Sequence, residues 1–463
     1  MIALAGCGKR HTDTEDVFQG LHRKNAPKAN TYTIQKFAQK LDHFSAIDPR
    51  TFQQRYLIDS QYAKGPSSPV IYYVCGEGNC MDGELDPASA FVPALAKSVG
   101  AHLVALEHRY YGESQPFDLM TADTLKYLTV EQAIEDLATF QKWMVTTQLL
   151  SGKWIAIGGS YPASLAAIYR LEHPELAAGA IASSACAILT QGTIDSDKVA
   201  AETAGASCVA KYRTNVLMPI QLAIGNPAAM TPIKKVFDAL DIVDDLDFLG
   251  VISGTSIFDV QINGSKDFCA SLDKDQPLAS FAEHLTGFVT KLGWGNGRMI
   301  AWSYTGALDA HSSLYETGFG FRQWIYQACT EEGVFSDGVM KANPDTNVSL
   351  SSTLTDALPE KYCDVFFGIK TPPIIDEMNE KYYKPLLDPS VSNILFINGS
   401  NDPACFPYAI SQENGNATNP NTVAYTVKGG SHCQDLSFPD ASDSASLKGA
   451  RDLEIELASR WSN

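Results

Sequence analysis

One serine stands where an apolar strand would turn sharply into a helix. Residues 154–157 are apolar, residues 158–162 read GGSYP, and a helix-forming stretch follows. Glycines let the backbone bend tightly, and proline is favoured in the first turn of a helix. Nucleophilic serines occupy such turns, so Ser160 is a candidate nucleophile. The usual Gly-x-Ser-x-Gly is incomplete, since Pro162 takes its last place, and a capping serine is the alternative.

An acid and a histidine follow in the order that this chemistry needs. The apolar run 393–398 ends before Asp402, and the run 422–427 ends before His432. In α/β-hydrolases the nucleophile, the acid and the histidine come in this order along the chain. None of the other histidines lies beyond Asp402. Three coincidences in the correct order favour a triad with Ser160 over a histidine in a solvated loop.

The three side chains would carry out acyl transfer. His432 would remove the proton of the Ser160 hydroxyl, and Asp402 would fix the imidazole tautomer and stabilise its cation. The oxyanion formed by the attack needs preorganised hydrogen-bond donors. We expect these donors from the first residue after the nucleophile and from a glycine-rich loop after the run 69–75.

The predicted oxyanion donors are therefore the N–H of Tyr161 and the loop that contains Gly76 and Glu77. A phosphate-binding loop is the alternative for the second segment. It is disfavoured because the loop lacks both a Gly-x-Gly-x-x-Gly frame and a Walker lysine.

Short apolar runs would position these residues. Continuous runs of this kind are typical of parallel strands covered on both faces and joined by crossover helices. The predicted strands are 69–75, 102–106, 153–157, 178–183, 393–398 and 422–427. These strands and the triad order predict an α/β-hydrolase fold with an inserted helical cap domain.

Helical signals alternate with the strands and then replace them. Residues 129–132 predict a capping box at the start of one helix, and a last helix covers about 446–461. Residues 231–232, Thr-Pro, predict the start of a further helix in a stretch without strands. The predicted divisions are a tail or signal remnant at 1–30, a hydrolase domain at 31–190 and 321–463, and a helical cap at 191–320.

The composition argues against several classes of partner. The 463 residues include 35 basic and 53 acidic side chains, for a net charge of -18. Such a surface repels phosphate backbones and anionic lipid heads, so we expect no nucleic-acid partner. No apolar run reaches the ~20 residues of a membrane span. Peptide substrates are the expected partners, and a homodimer stays open.

Cysteines and sequons bear on the compartment. The 10 cysteines include no C-x-x-C pair and no cluster with zinc spacing, so we expect disulfides, no metal and no cofactor. Sequons at Asn263, Asn347, Asn398 and Asn416 would accept glycans on a secretory route. Residues 4–7, LAGC, resemble a bacterial lipoprotein box that lacks the preceding signal regions. Secreted, lysosomal or vacuolar locations and a bacterial envelope lipoprotein therefore stay open.

Four strings of the sequence are characteristic of one peptidase family. They are EHRYYGES at 107–114, GGSY at 158–161, WIYQACTE at 324–331 and GSHCQDL at 430–436. Through them the chain resembles the serine peptidases that include prolyl carboxypeptidase, dipeptidyl peptidase II and thymus-specific serine protease. The resemblance implies an α/β-hydrolase with a helical insertion, secreted or lysosomal. It also implies a serine exopeptidase that cleaves beside proline, as a carboxypeptidase or a dipeptidyl peptidase.

The resemblance places the family triad on the serine, acid and histidine named above. It also implies a disulfide, because Cys329 and Cys363 look like a pair that is bridged in relatives. Cys405 and Cys433 flank the acid and the histidine. From that placement alone we predict a bridge between these two cysteines that would hold both loops.

One position departs from the family pattern. Relatives commonly have Asp-Pro-Trp where this chain has Ala404 as the third residue. That tryptophan is expected to help form the proline pocket, so its absence weakens the prediction of a strict proline preference. Trp324 or Tyr326 could supply another aromatic side chain, with core packing as the alternative for each.

Three functions stay open at this point. They are a proline-directed exopeptidase, a lipase or esterase on the same fold, and a non-catalytic binding relative. The triad does not separate the first two, because ester and amide acyl transfer use the same groups. The family strings favour the peptidase, and the complete triad favours catalysis.

Overall fold

The computed structural model describes residues 33–81, 85, 90–189, 194–292, 297–303, 320–333 and 357–463. The predicted tail at 1–30, the LAGC box and the sequon at Asn347 lie outside these ranges. Within them, no helix combines the length and the apolar character that crossing a bilayer requires.

An eight-stranded sheet lies at the centre of the fold, in the order β1-β2-β4-β3-β5-β6-β7-β8. The strands are β1 Thr33–Lys40, β2 Thr51–Asp59, β3 Val70–Val74, β4 His102–Leu106, β5 Trp154–Gly159, β6 Ala177–Ser183, β7 Ile394–Gly399 and β8 Val423–Val427. β2 is antiparallel to β1 and β4, and the remaining pairs are parallel. All six predicted strands are present. The chain has the α/β-hydrolase fold, with its late strands β7 and β8 at one edge.

Two strands were not predicted, namely β1 and β2. Most residues of β1 are exposed, as expected for the edge of a sheet. In β2 the polar residues Gln54 and Arg55 are buried because distant groups bind them. Their sequences therefore lack the continuous apolar run that revealed the other strands.

The α-helices, numbered in chain order, are α1 Val92–Val99, α2 Ala122–Leu125, α3 Val130–Thr147, α4 Tyr161–Glu172, α5 Ile194–Ala204, α6 Ala206–Tyr212, α7 Met218–Ala223, α8 Pro227–Val236, α9 Asp245–Asn263, α10 Lys266–Ser271, α11 Pro277–Leu292, α12 Phe321–Gln327, α13 Ala357–Phe367, α14 Ile375–Met378 and α15 Ala445–Trp461. The π-helical turns Arg213–Leu217, Ala328–Glu332 and Asn379–Tyr383 extend α6, α12 and α14.

Helices cover both faces of the sheet. Tyr72 of β3 packs in one hydrophobic cluster with α3 and α4, whereas Ile71 packs in a second cluster with α1 and α15. Neighbouring residues of a strand point to opposite faces, so both faces are buried. Full burial on both sides explains why the parallel strands read as continuous apolar runs.

The start of α3 confirms half of the predicted capping box. Thr129 caps the helix, and its side chain accepts a hydrogen bond from the N–H of Gln132. The Gln132 side chain does not return the bond. It accepts from the N–H of His43 and donates to Asp42, which fastens the segment after β1 to the helix.

Helices α5 to α11 bury a hydrophobic cluster of their own, which extends to Ala404 and Cys405. The helix start predicted at residues 231–232 is wrong. Asn226 and Pro227 provide a cap and a first-turn proline earlier, so α8 starts there and Pro232 lies inside it. The cap boundaries 191–320 stay a prediction, because residues 190–193 and 304–319 lie outside the described ranges.

Four disulfides join described cysteines, which confirms the expectation of disulfides. They are Cys75–Cys80, Cys186–Cys405, Cys208–Cys269 and Cys329–Cys363. The pair implied by the resemblance is therefore present. The predicted Cys405–Cys433 bridge is wrong. Cys405 packs with the α5–α11 cluster and bonds to Cys186, whereas Cys433 lies in the cluster on one face of the sheet.

Candidate active site

Ser160, His432 and Asp402 meet at the carboxyl edge of the sheet. They follow β5, β8 and β7, respectively. His432 Nε2 lies 2.8 Å from Ser160 Oγ, and His432 Nδ1 lies 2.7 Å from Asp402 Oδ2. In this arrangement a neutral imidazole can donate to the carboxylate and accept the hydroxyl proton at the same time.

The backbone at Ser160 is strained in the way that the sequence predicts. Its φ of 66° and ψ of -129° lie in a region that residues with a side chain rarely adopt. Its N–H donates to the carbonyl of Ser183 over 2.8 Å, which ties the turn to the end of β6. A Cβ at Gly158 would lie 2.3 Å from the Pro162 carbonyl oxygen, so glycine is needed there.

The Asp402 carboxylate is fully buried but well supplied with donors. Oδ1 accepts from the N–H of Ala404 over 3.0 Å and from the N–H of Cys405 over 3.3 Å. Oδ2 faces His432. These donors replace the water that the carboxylate loses on burial.

The loops that carry the acid and the histidine are bonded to each other. The N–H of Ser400 donates to the carbonyl of Val427, and the N–H of Asn401 donates to that of Gly430. A Cβ at Gly399 would lie 2.4 Å from the Ser431 carbonyl oxygen. The two loops therefore approach closely, and their relative position is fixed by backbone contacts.

The predicted oxyanion donors lie beside the serine. Tyr161 is the first residue of α4, so its N–H has no acceptor within the helix. Gly76 lies against the same turn, because a Cβ there would be 2.5 Å from Pro162 Cγ. Glu77 is buried, and its carbonyl accepts from the N–H of Gly320 over 2.8 Å. Both predicted segments therefore adjoin the start of α4.

All three predicted pocket residues are buried. The Trp324 ring lies 5.7 Å from the Tyr161 ring, next to the nucleophile. Tyr326 packs elsewhere, edge-on to Phe367, and burial raises the pKa of its hydroxyl to about 12. Ala404 packs with the α5–α11 cluster. Of the two aromatic candidates, Trp324 is the one that packs against Tyr161, the residue after Ser160.

The string at 107–114 builds a support for the glycine-rich loop. The Glu107 carboxylate pairs with Arg55 at 2.6 Å and also accepts from the Ser114 hydroxyl. A Cβ at Gly112 would lie 2.0 Å from Glu107 Oε1, so a side chain there would displace the carboxylate. Arg55 also donates to Asn79 Oδ1 over 2.6 Å, and Asn79 belongs to the same loop as Gly76.

Four buried carboxyl groups near the site were not predicted as titratable groups. Burial raises the pKa of Glu331 to about 7, that of Glu332 to about 8 and that of Asp435 to about 6. Burial also raises the pKa of Glu454 well above its ordinary value. Glu331 and Asp435 fall in two of the four family strings. Membership of those strings was the one signal in the sequence that could have pointed to these carboxyl groups.

The described residues of the site are poorly suited to binding a metal ion. Among the described residues, the one group of three potential ligands is Asp402, Cys405 and His432. The Cys405 sulfur is disulfide-bonded, so it is not the thiolate that binds metals. The other two side chains bond to each other, an arrangement that suits proton transfer.

Comparison with protein families gives a match over most of the chain. Residues 39–216 and 263–454 match the model described as serine carboxypeptidase S28. This range includes all four strings and the serine, acid and histidine.

Individual relatives support the same grouping. The chain is 30% identical over 382 residues to the "Probable serine protease EDA2" of Arabidopsis thaliana, covering 79% of this chain and 74% of the relative. It is 28% identical over 456 residues to the thymus-specific serine protease of Mus musculus, with 91% and 86% covered. It is 27% identical over 467 residues to the lysosomal Pro-X carboxypeptidase of Bos taurus, with 93% and 88% covered.

Proposed function

Because the chain belongs to the serine carboxypeptidase S28 family, it is a serine peptidase, and we propose that Ser160, His432 and Asp402 are its catalytic triad. The single observation that carries this proposal is the alignment of the three side chains. The imidazole lies 2.8 Å from the hydroxyl on one side and 2.7 Å from the carboxylate on the other. That geometry suits general-base activation of a serine.

The proposed reaction passes through an acyl-enzyme. Ser160 Oγ attacks the scissile carbonyl carbon while His432 Nε2 takes the hydroxyl proton. The oxyanion would be held by the N–H of Tyr161 and by the loop of Gly76 and Glu77. When the C–N bond breaks, the leaving amine takes the proton from His432. A water molecule then repeats the cycle on the acyl ester and regenerates the serine hydroxyl.

We further propose an exopeptidase that cleaves beside proline, as a carboxypeptidase or a dipeptidyl peptidase. Support comes from the relative called lysosomal Pro-X carboxypeptidase, which aligns over 93% of this chain. Ala404 stands where relatives commonly have tryptophan, and it is a small side chain packed among helices. This substitution favours a broader acceptance of residues beside the cleaved bond than a strict proline requirement.

For location, we propose secretion or a lysosome-like compartment. Disulfides persist in oxidising compartments, and four join described cysteines here. Asn263 is an exposed sequon at the end of α9, whereas Asn398 is 1% exposed within β7. Mass spectrometry of the native protein should therefore find glycan at Asn263 and none at Asn398. A lipid on the N-terminal cysteine would instead favour the bacterial envelope.

Hydrolysis of X-Pro-X peptides tests the proposed reaction. Ser160→Ala should lower kcat by roughly 10⁶, as loss of a triad serine does. Ser164→Ala is the matched control, because Ser164 lies on the same helix and its hydroxyl bonds to the Cys186 carbonyl. It should retain activity. Undiminished turnover by purified Ser160→Ala would reject the nucleophile assignment.

The same peptides decide the direction of cleavage. Peptides blocked at the N-terminus should still be cut by a carboxypeptidase, and peptides blocked at the C-terminus by a dipeptidyl peptidase. If both forms resist cleavage and only carboxylic esters are hydrolysed, the substrate proposal is wrong, although the triad proposal would survive.

A further inference from the structure

A buried chain of hydrogen bonds surrounds the side chain of Tyr161. The Tyr111 hydroxyl lies 2.5 Å from Gln327 Oε1, and Gln327 Nε2 lies 2.8 Å from the Tyr161 hydroxyl. The Tyr161 hydroxyl lies 3.2 Å from His108 Nε2, and His108 Nδ1 lies 2.8 Å from the Arg109 carbonyl oxygen. The chain joins three of the strings that the sequence singled out.

The direction of each bond in this chain is determined. A carbonyl only accepts, so His108 Nδ1 carries the hydrogen. Burial lowers the pKa of His108 to about 4, so the ring is neutral and its Nε2 accepts. The Tyr161 hydroxyl must then donate to Nε2 and accept from the Gln327 amide. The Gln327 oxygen is left to accept from Tyr111, and every donor meets an acceptor.

Helix α12 connects this chain to the other predicted oxyanion segment. Gln327 is its last residue, and Gly320 precedes its first residue. The N–H of Gly320 donates to the Glu77 carbonyl over 2.8 Å. A Cβ at Gly320 would lie 2.6 Å from the Tyr111 ring, so the helix start and the ring are in close contact. One short helix therefore holds the Glu77 loop at one end and Tyr161 at the other.

We propose that Gln327 and the Tyr161 hydroxyl are positioning groups for the oxyanion hole, acting through α12. This inference rests on the proposed function. An oxyanion hole works only if its donors lie 2.7–3.1 Å from the position that the oxyanion will occupy. The Tyr161 side chain fixes the residue whose N–H is one donor, and Gly320 fixes the loop that supplies the other. The helix sets the distance between them.

Two variants test the proposal by steady-state kinetics, Tyr161→Phe and Gln327→Leu. Each should lower kcat by about tenfold to a hundredfold, less than the ~10²–10³ for outright loss of an oxyanion donor. KM should stay close to wild type, because these hydrogen bonds do not hold the substrate in its ground state. The double variant should lose little more kcat than either single variant, since both substitutions break the same chain of hydrogen bonds.

A second readout separates oxyanion stabilisation from packing. A peptide aldehyde forms a tetrahedral adduct with the serine, and its oxygen occupies the oxyanion hole. Its inhibition constant should rise in both variants by about the same factor as kcat falls. A merely structural defect would lower the melting temperature without this parallel.

Tyr169→Phe is the matched control. Tyr169 lies on the same helix as Tyr161, and its buried hydroxyl donates to Gln141 Oε1 over 2.6 Å. The control should lose a similar amount of stability but keep kcat and aldehyde affinity. The inference is overturned if all three variants behave alike, or if Tyr161→Phe and Gln327→Leu raise KM alone. Failure of the wild type to hydrolyse any peptide would instead overturn the proposed function.

Discussion

Asp402 and Glu454 are both fully buried carboxyl groups, but their surroundings differ. Asp402 accepts from two backbone N–H groups and faces His432. Within the described ranges, neither oxygen of Glu454 has a hydrogen-bond partner, and the same holds for Glu332 Oε1. Burial therefore raises the pKa of both glutamates.

The difference shows how this fold handles buried acids. A buried carboxylate is stabilised where hydrogen-bond donors replace its water, and two backbone N–H groups after β7 do this for Asp402. Within the described part of the chain, Glu454 and Glu332 lack such donors, and burial favours the protonated form of each because a neutral carboxyl group loses less on burial. The two sites therefore differ in their supply of hydrogen-bond donors.

Among the tests of this comparison, the largest expected effect comes from replacing Asp402. Asp402→Asn should lower kcat by about 10⁴ while the fold is retained, because the amide favours the wrong imidazole tautomer. Glu454→Gln is the matched control, since it replaces a buried carboxyl group whose pKa burial raises, and it should leave kcat close to wild type. Steady-state kinetics on an X-Pro-X peptide measures both. Equal losses in the two variants would contradict the comparison.

The next effect concerns the disulfide that anchors the donors of Asp402. Cys405 provides one of the N–H groups and is bonded to Cys186, 219 residues away in sequence. Replacing both cysteines with serine should lower the free energy of unfolding by about 2–5 kcal/mol and also lower kcat. Urea unfolding measures the change in the free energy of unfolding.

Its control is the corresponding double serine variant of Cys208 and Cys269, a disulfide within the α5–α11 helices. That variant should lose stability and keep kcat. If kcat fell equally in both, the Cys186–Cys405 bridge would have no special connection to the acid.

A third effect is a loss of stability as the pH rises from acidic values towards 8. The pKa values of Glu331, Glu332 and Asp435 are raised to about 7, 8 and 6 in the folded protein. The folded state therefore binds more protons than the unfolded state between about pH 4.5 and pH 8. Their stabilisation is complete below the unfolded pKa and is lost as pH rises through the folded values. The free energy of unfolding should fall with pH over this range, by about 1.4 kcal/mol per pH unit for each group that the unfolded state has ionised and the folded state has not. Chemical denaturation at a series of pH values measures it, and a curve that rises towards pH 8 would contradict the assignment.

The smallest effect comes from single glutamines at the proton-binding sites. Glu332→Gln should lower the slope of the pH curve by up to about 1.4 kcal/mol per pH unit below pH 8, because glutamine does not ionise there. Glu456→Gln is the control. Glu456 is an exposed carboxylate paired with Arg460, and its loss should leave the slope unchanged. An unchanged slope in Glu332→Gln would mean that Glu332 is already ionised.

Local signals made the parallel strands and the three catalytic candidates predictable. A strand buried on both faces must be apolar throughout, and the serine turn requires glycine before it. The order of Ser160, Asp402 and His432 then follows from the order of β5, β7 and β8. Each of these features depends on a short segment of the chain, so a single sequence is enough to predict them.

The remainder depends on contacts between distant segments. The buried Arg55 of β2 pairs with Glu107, and nothing near Arg55 in sequence reveals this partner. The choice of Cys186 for Cys405 depends on which hydrophobic cluster each cysteine joins, since Cys433 lies in a different one. The polar chain through Gln327 links residues more than 160 positions apart, such as Tyr161 at a separation of 166. Such pairings come from the tertiary fold.

The most direct test of the central claim is covalent labelling with a fluorophosphonate, followed by peptide mass spectrometry. The reagent reports a serine whose hydroxyl is activated by a base. Label should be found on Ser160 alone, and Asp402→Asn should acquire it far more slowly. Label on a different serine, with Ser160 unmodified in active protein, would contradict the account.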